Sequence, residues 1–203
     1  MSMLSELTKN LMIKAYEKKG YPLFTKGDYN LNIFGIRKNE NTSNSFNDVL
    51  GLLYKLDGDW ILKKYEASTD PGLYYRQNPM NRKGTAIVKE GYYKGAFKIG
   101  LHHGSYTALI QNKPLELYRD NNKDGVLDKN GPTSWEMAGI NIHRATNVKG
   151  ARSTAVGKFS AGCQIFSGFD DFAQFINIVK RSAEIYGPVF SYALFNEVDV
   201  FGE

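Results

Sequence analysis

The chain is short of the residues that most enzymes of its size rely on. It has one cysteine and three histidines in 203 residues. A single cysteine cannot close an intramolecular disulfide, so the fold does not depend on an oxidising compartment. There is no CxxC, no HExxH, no Walker loop and no dinucleotide glycine fingerprint. Scattered histidines and a lone thiol do not make a zinc set. No apolar run reaches the roughly 18 residues of a membrane span. The N-terminus carries Glu6 and no continuous apolar segment, so it is expected not to be a secretory signal peptide. Repeats and low-complexity tracts are missing too.

What remains is a chain with 42% hydrophobic and 13% aromatic residues, enough for a sizeable core in one domain. The net charge of +5 is spread in singles and pairs. It suits an anionic polymer, cell wall or nucleic acid alike, and more often reflects solubility, so it selects no partner.

Residues 3–19 place Leu4, Leu7, Leu11 and Ala15 near helical spacing, stopped by Gly20 and Pro22. Strands are expected over 31–37, 49–56 and 60–67, the last two joined by the Asp57-Gly58 hairpin signal. A surface loop is expected over 68–84, then strands through 84–98, 106–111 and 115–119. A period of 3.6 returns at Phe169, Phe172, Phe175, Ile176, Val179 and Ala183. It predicts a helix over 168–186, with Ser167 and Asp170 as a capping box and Gly187-Pro188 as its stop. A last strand follows over 189–195.

The segment 120–131 sets Asp120, Asn122, Asp124 and Asp128 at alternating positions with Gly125 at the tight turn, the first part of a calcium loop. Its twelfth position is Gly131, where a full loop of this kind carries glutamate. Two readings stay open: a calcium ligand set, or a polar loop held by side-chain-to-backbone hydrogen bonds.

The only cysteine, Cys163, lies in the stretch 140–166 together with His143. The alternation Ile140, Asn141, Ile142, His143 reads as a strand with its isoleucines on one face and Asn141 and His143 on the other. The small-residue turn Ser160-Ala161-Gly162 stands directly before the thiol. Such a turn lets backbone N–H groups converge. A thiol beside it, with an imidazole in reach, is the minimum equipment for acyl transfer through a thioester. Imidazole and N–H dipoles together are expected to favour the thiolate. The bland alternative is a buried core thiol.

The order of histidine, variable loop and Ser160-Ala161-Gly162-Cys163 resembles the signature of the L,D-transpeptidase (YkuD-like) family. Segments 91–100, 106–111 and 190–195 add to the likeness, which covers roughly residues 28–200. Ala161 stands where the family usually has a second histidine, and Ile165 where it has Asn or Arg. The resemblance implies an α+β, mostly β, YkuD-like β-sandwich over 28–203. A helical segment, 1–27, precedes it, and a helix follows the cysteine turn. It implies Cys163 as nucleophile, His143 as base and the Arg144 backbone carbonyl as the group that orients the imidazole. Ala161, Gly162 and Cys163 would supply the oxyanion hole, braced by Ser160. Gln164, Arg152 and His103 are candidates for binding substrate. His102 and His103 adjoin, so in an extended chain at most one can face a given site.

The expected partner is the peptidoglycan stem peptide, with no nucleic acid, no membrane span and no required cofactor. Without a signal peptide, the chain would reach a wall only by other export machinery or phage delivery. The alternative function is a catalytically inactive module that binds cell-wall peptide or glycan.

Overall fold

The Asp57-Gly58 turn has positive φ at both residues, 51° and 88°, the conformation that a two-residue hairpin requires. It joins β2 (Asp48–Leu56) to β3 (Asp59–Ser68), paired from Leu56↔Asp59 to Asp48↔Ala67. The computed structural model describes residues 2–202. Its other strands are β1 (Asn32–Arg37), β4 (Thr85–Val88), β5 (Gly91–His102), β6 (Tyr106–Gln111), β7 (Leu115–Asp120), β8 (Ser134–Glu136), β9 (Ile142–Arg144), β10 (Gln164–Phe166) and β11 (Val189–Asn196). The helices are α1 (Met3–Glu6), α2 (Lys9–Lys19), α3 (Leu73–Gln77), α4 (Phe169–Tyr186) and α5 (Glu197–Phe201).

The class is α+β and mostly strand, but the expected sandwich does not form. Eight strands close into a barrel in the order β1-β11-β5-β6-β9-β10-β3-β2, while β4-β7-β8 make a separate sheet. Closure comes from β1, which pairs with β11 in parallel on one side and with β2 antiparallel on the other. No edge is left exposed in the barrel.

Alternation sorts the strand residues. Ile33, Leu52, Phe97, Leu109, Ile142 and Phe166 share one core with Phe172, Phe175, Ile176 and Val179 of α4. Phe34, Ile36, Val49, Leu53 and Phe195 share a second core with Met12, Ala15 and Tyr16 of α2. β1 is therefore buried along its whole length. The N-terminal helical segment is packed onto the barrel wall.

Three local expectations change, and one element is added. The single N-terminal helix is two, because Thr8 takes an extended conformation and its hydroxyl accepts from Leu11 N–H at 3.3 Å. The surface loop 68–84 contains α3, and its Thr69, Asp70 and Arg76 are buried. Gly72 makes this possible: a Cβ there would lie 2.0 Å from Gly157 O. The start of α4 is capped at Gly168 with no side-chain bond. Ser167 donates instead to Glu66 at 2.6 Å, and Asp170 accepts from Gly150 N–H. Beyond β11 the chain continues as α5, begun by an Asn196–Asp199 capping box.

Arg37 is fully buried and ion-paired with Asp70 and Glu90, each at 2.9 Å. It also donates to Thr69 O at 2.9 Å and Val88 O at 2.7 Å, so it ties β1 to the segments after β3 and β4. Arg37→Ala leaves two acids without their counter-charge. It should lower unfolding free energy by about 3–5 kcal/mol in urea titration. A loss under about 1 kcal/mol would show that the network is solvated and carries little.

Candidate functional site

The parallel pair β9–β10 builds the site. Its register sets Gln164 beside Ile142 and Ile165 beside His143. Gln164 N–H donates to Asn141 O at 2.9 Å, which sets Cys163 opposite Asn141, each one residue before its strand. Asn141 N–H donates to Cys163 Sγ at 3.4 Å, and the thiol reaches Gly139 O at 3.8 Å. Ile142 and Phe166 point into the barrel core, so Asn141, His143 and Cys163 lie on its outer face. There they line a cavity of about 370 Å³ together with Tyr75, Met80, His102, His103, Phe159 and Ala161.

The turn before the thiol is held from within. Ser160 Oγ donates to Cys163 O at 2.8 Å and accepts from Gly162 N–H at 3.1 Å. Gly162 has φ +126°, and a Cβ there would sit 2.6 Å from Ala86 O, so only glycine fits. Gly72 N–H donates to Ser160 O at 2.9 Å and anchors the turn to the segment leading into α3.

The imidazoles are fixed by hydrogen bonds. His143 Nδ1 lies 3.0 Å from Arg144 O. A carbonyl only accepts, so Nδ1 carries the proton and Nε2 is bare in the neutral ring. Asn141 Oδ1 accepts from Gln111 N–H at 3.1 Å, which orients its amide. Asn141 Nδ2 therefore donates to His102 Nδ1 at 3.0 Å, and the neutral His102 ring holds its proton on Nε2. The two rings stack with centroids 4.0 Å apart and planes 18° from parallel.

Burial disfavours charge on His143, His102 and Cys163. Burial, then the neighbouring His102, pushes His143 down to about 3. Burial, then His103, pushes His102 down to about 4. Burial pushes the Cys163 thiol up to about 11, with the Asn141 N–H pulling weakly the other way. The expected thiolate is thus not favoured at rest. Desolvation outweighs the single N–H dipole, and the thiol makes no hydrogen bond to an imidazole among the described residues.

Several expected residues fall elsewhere. Gln164 is fully buried, and its side chain bonds Thr69 O, Gly162 O and the Tyr192 hydroxyl. It supports the turn from behind and does not line the cavity. Arg152 pairs with Asp171 at 2.7 Å and lies near Glu66 at 3.6 Å, outside the cavity. Ile165 packs with Phe46, Ala145 and Val156 in a small cluster against Cys163. The guanidinium of Arg144 covers the Tyr106 ring at 4.0 Å, leaving its backbone carbonyl to His143. Both His102 and His103 reach the cavity, against the expectation of at most one. His103 has φ +48°, so the chain is turning there and alternation no longer separates the rings.

A second cavity of about 330 Å³ adjoins the first, sharing Met80, Ala138 and Ala161. It is lined by Arg119 and Glu136, paired at 2.6 Å. Among the described residues, no group of three or more His, Cys, Asp or Glu side chains is arranged to hold a metal ion. Among the same residues, no helix is long and apolar enough to cross a membrane. Comparisons with family models, with curated proteins and with solved structures found no match.

The neutral thiol predicts its own reactivity. Its folded value of about 11 lies above that of an unfolded cysteine, near 8.5. At about pH 8.5, iodoacetamide should alkylate the folded protein more slowly than the urea-unfolded chain, and the folded rate should keep rising toward pH 11. Faster alkylation of the folded form at that pH would mean that a thiolate is already present.

Proposed function

We propose that the protein is a cysteine acyltransferase that acts on peptidoglycan stem peptides through a thioester. The single observation that carries this reading is the shared wall of one cavity. It holds Cys163, Ala161 of the turn before it and His143, whose ring is locked with Nε2 bare. The substrate class comes from the resemblance of the 143–163 signature to L,D-transpeptidases, not from the cavity itself.

Cys163 Sγ attacks the carbonyl carbon of a stem peptide bond. Because the thiol is neutral at rest, its proton leaves for His143 Nε2 as the C–S bond forms. Gly162 N–H is already taken by Ser160, so the oxyanion is received by the N–H groups of Ala161 and Cys163 on either side. Collapse of the tetrahedral adduct breaks the C–N bond, and His143 returns the proton to the leaving amine. A second amine then attacks the thioester to give a cross-link, or water attacks to give a shortened peptide. His143 takes the incoming proton in either case. The adjoining Arg119–Glu136 cavity offers room for the second strand.

A resting thiol pushed up and an imidazole pushed down also favour a second reading, an inactive module that binds cell-wall peptide or glycan. Incubation with purified peptidoglycan, followed by separation of the muropeptides, decides between them. The enzyme reading expects new cross-linked or trimmed stems with the wild type and none with Cys163→Ala. His143→Ala should lose about two to four powers of ten in rate. Sedimentation with the wall but an unchanged muropeptide pattern would support the binding module.

The histidine also sets the pH profile. An ordinary imidazole, near 6.5, would be mostly protonated at pH 5. His143, held at about 3, stays a free base there. kcat/KM should therefore be nearly the same at pH 5 and pH 7 and fall only below about pH 4. A drop centred near 6.5 would place the base elsewhere.

A further inference from the structure

The buried carboxylate of Asp120 stands outside the acyl-transfer site. Asp120 ends β7 and is 1% exposed, and neither of its oxygens has a hydrogen-bond partner. An unpaired carboxylate in that setting is costly, and proteins pair such groups or give them to a metal. Asp124 and Asp128 belong to the same loop, and a single amide, that of Asn122, bridges their carboxylates. The backbone N–H groups of Asn122 and Asp128 lie close by, so the loop folds back around the Asp120 carboxylate. Arg76 lies near enough to feel this charge; its two Nη groups donate to Asn41 O and Ser43 O, and its Nε is buried without a hydrogen-bond partner.

The centre of the loop is filled by a weak substitute for a cation. Asn122 Nδ2 donates to Asp124 at 3.0 Å and to Asp128 at 2.9 Å, wedged between two carboxylates. Gly125, at φ +83°, makes the sharp turn that follows. Oxygens at the first, third, fifth and ninth positions, with glycine at the sixth, are the pattern of a calcium loop.

We propose that residues 120–128 form a calcium site, with Asp120, Asn122, Asp124 and Asp128 as side-chain ligands. On binding, the Asn122 amide turns over, so that its oxygen meets the ion where its NH₂ now meets the carboxylates. The bonds lost are the two from Asn122 Nδ2 and the one from Asp124 N–H to Asn122 Oδ1, 3.1 Å long; the ion's bonds to the same oxygens replace them. Three carboxylates without a bidentate glutamate place the affinity in the weak class, Kd about 10⁻⁵–10⁻³ M. Calcium prefers such a flexible oxygen set over magnesium, which demands a tighter octahedron.

The ion would stiffen the rim of the cleft. Leu127 is buried and its N–H donates to Asn41 O at 2.8 Å, while Asn121 holds Arg82 O at 3.2 Å. Gly125 abuts Leu73 and Gln77 at the two ends of α3, the helix that carries Tyr75 to the cavity.

Titration of calcium chloride into the chelator-stripped full chain, by calorimetry, tests the site without reference to catalysis. One site is expected, and the melting temperature should rise in about 5 mM calcium relative to chelator, and rise less in the same magnesium. Asp124→Asn should weaken calcium binding by about tenfold or more. Asp120→Asn should melt higher than the wild type in chelator, because a buried unpaired charge is gone, and should lose the calcium response. Absence of binding heat together with identical melting in chelator and calcium would overturn the proposal. So would an Asp120→Asn protein that keeps the full response. The wild-type titration decides the matter even if a variant does not fold.

Discussion

Asn141 holds the centre of the molecule together. Its carbonyl accepts from Gln164, its N–H meets the Cys163 sulfur, its side-chain oxygen accepts from Gln111 and its side-chain nitrogen donates to His102. These four bonds join β5, β6, β9 and β10 at one residue. They also settle chemistry: because Gln111 fixes which way the amide faces, the tautomer of His102 follows. With His102 stacked on His143 at 4.0 Å, a charge on either ring raises the cost of a charge on the other. Cys163 therefore rests as a neutral thiol beside the neutral rings of His102 and His143, and the proposed chemistry moves its proton only during attack.

The barrel accounts for where this happens. Inward positions are spent on the core, so reactive groups can only be displayed on the outer wall, and there only where no helix covers it. α2 and α5 cover the face made by β1, β2 and β11. The face of β9 and β10 is left to loops, and two close approaches hold them. Gly162 lies against Ala86 O and Gly72 against Gly157 O, and a side chain at either would push the turn off the wall. Arg37 anchors the same region from beneath through Thr69, whose carbonyl also accepts from Gln164.

Much of this was readable in the sequence, in proportion to how local the signal is. The Asp57-Gly58 hairpin, the aromatic stripe of α4 and the two faces of 140–143 all follow from spacing over a few residues. The inward direction of Gln164 was also readable, since Cys163 and Ile165 share a face and the residue between them must take the other. The Thr8 break was legible as an N-cap inside an apolar period. Barrel closure was not, because it rests on β1 meeting β11 across nearly the whole chain. Nor was the arrival of His102: β5 reaches β9 only through β6, by the single pairing of Leu109 with Ile142. The partner of Arg152, Asp171, is likewise set by packing.

The central claim is a covalent bond between substrate and Cys163, and intact-protein mass spectrometry reads it directly. The protein would be quenched in acid during reaction with a soluble stem tetrapeptide. The account predicts a mass increase equal to the acyl portion of the peptide, mapped to Cys163 and released by hydroxylamine as a thioester should be. Product formed with no adduct, or an adduct on any other residue, would contradict it.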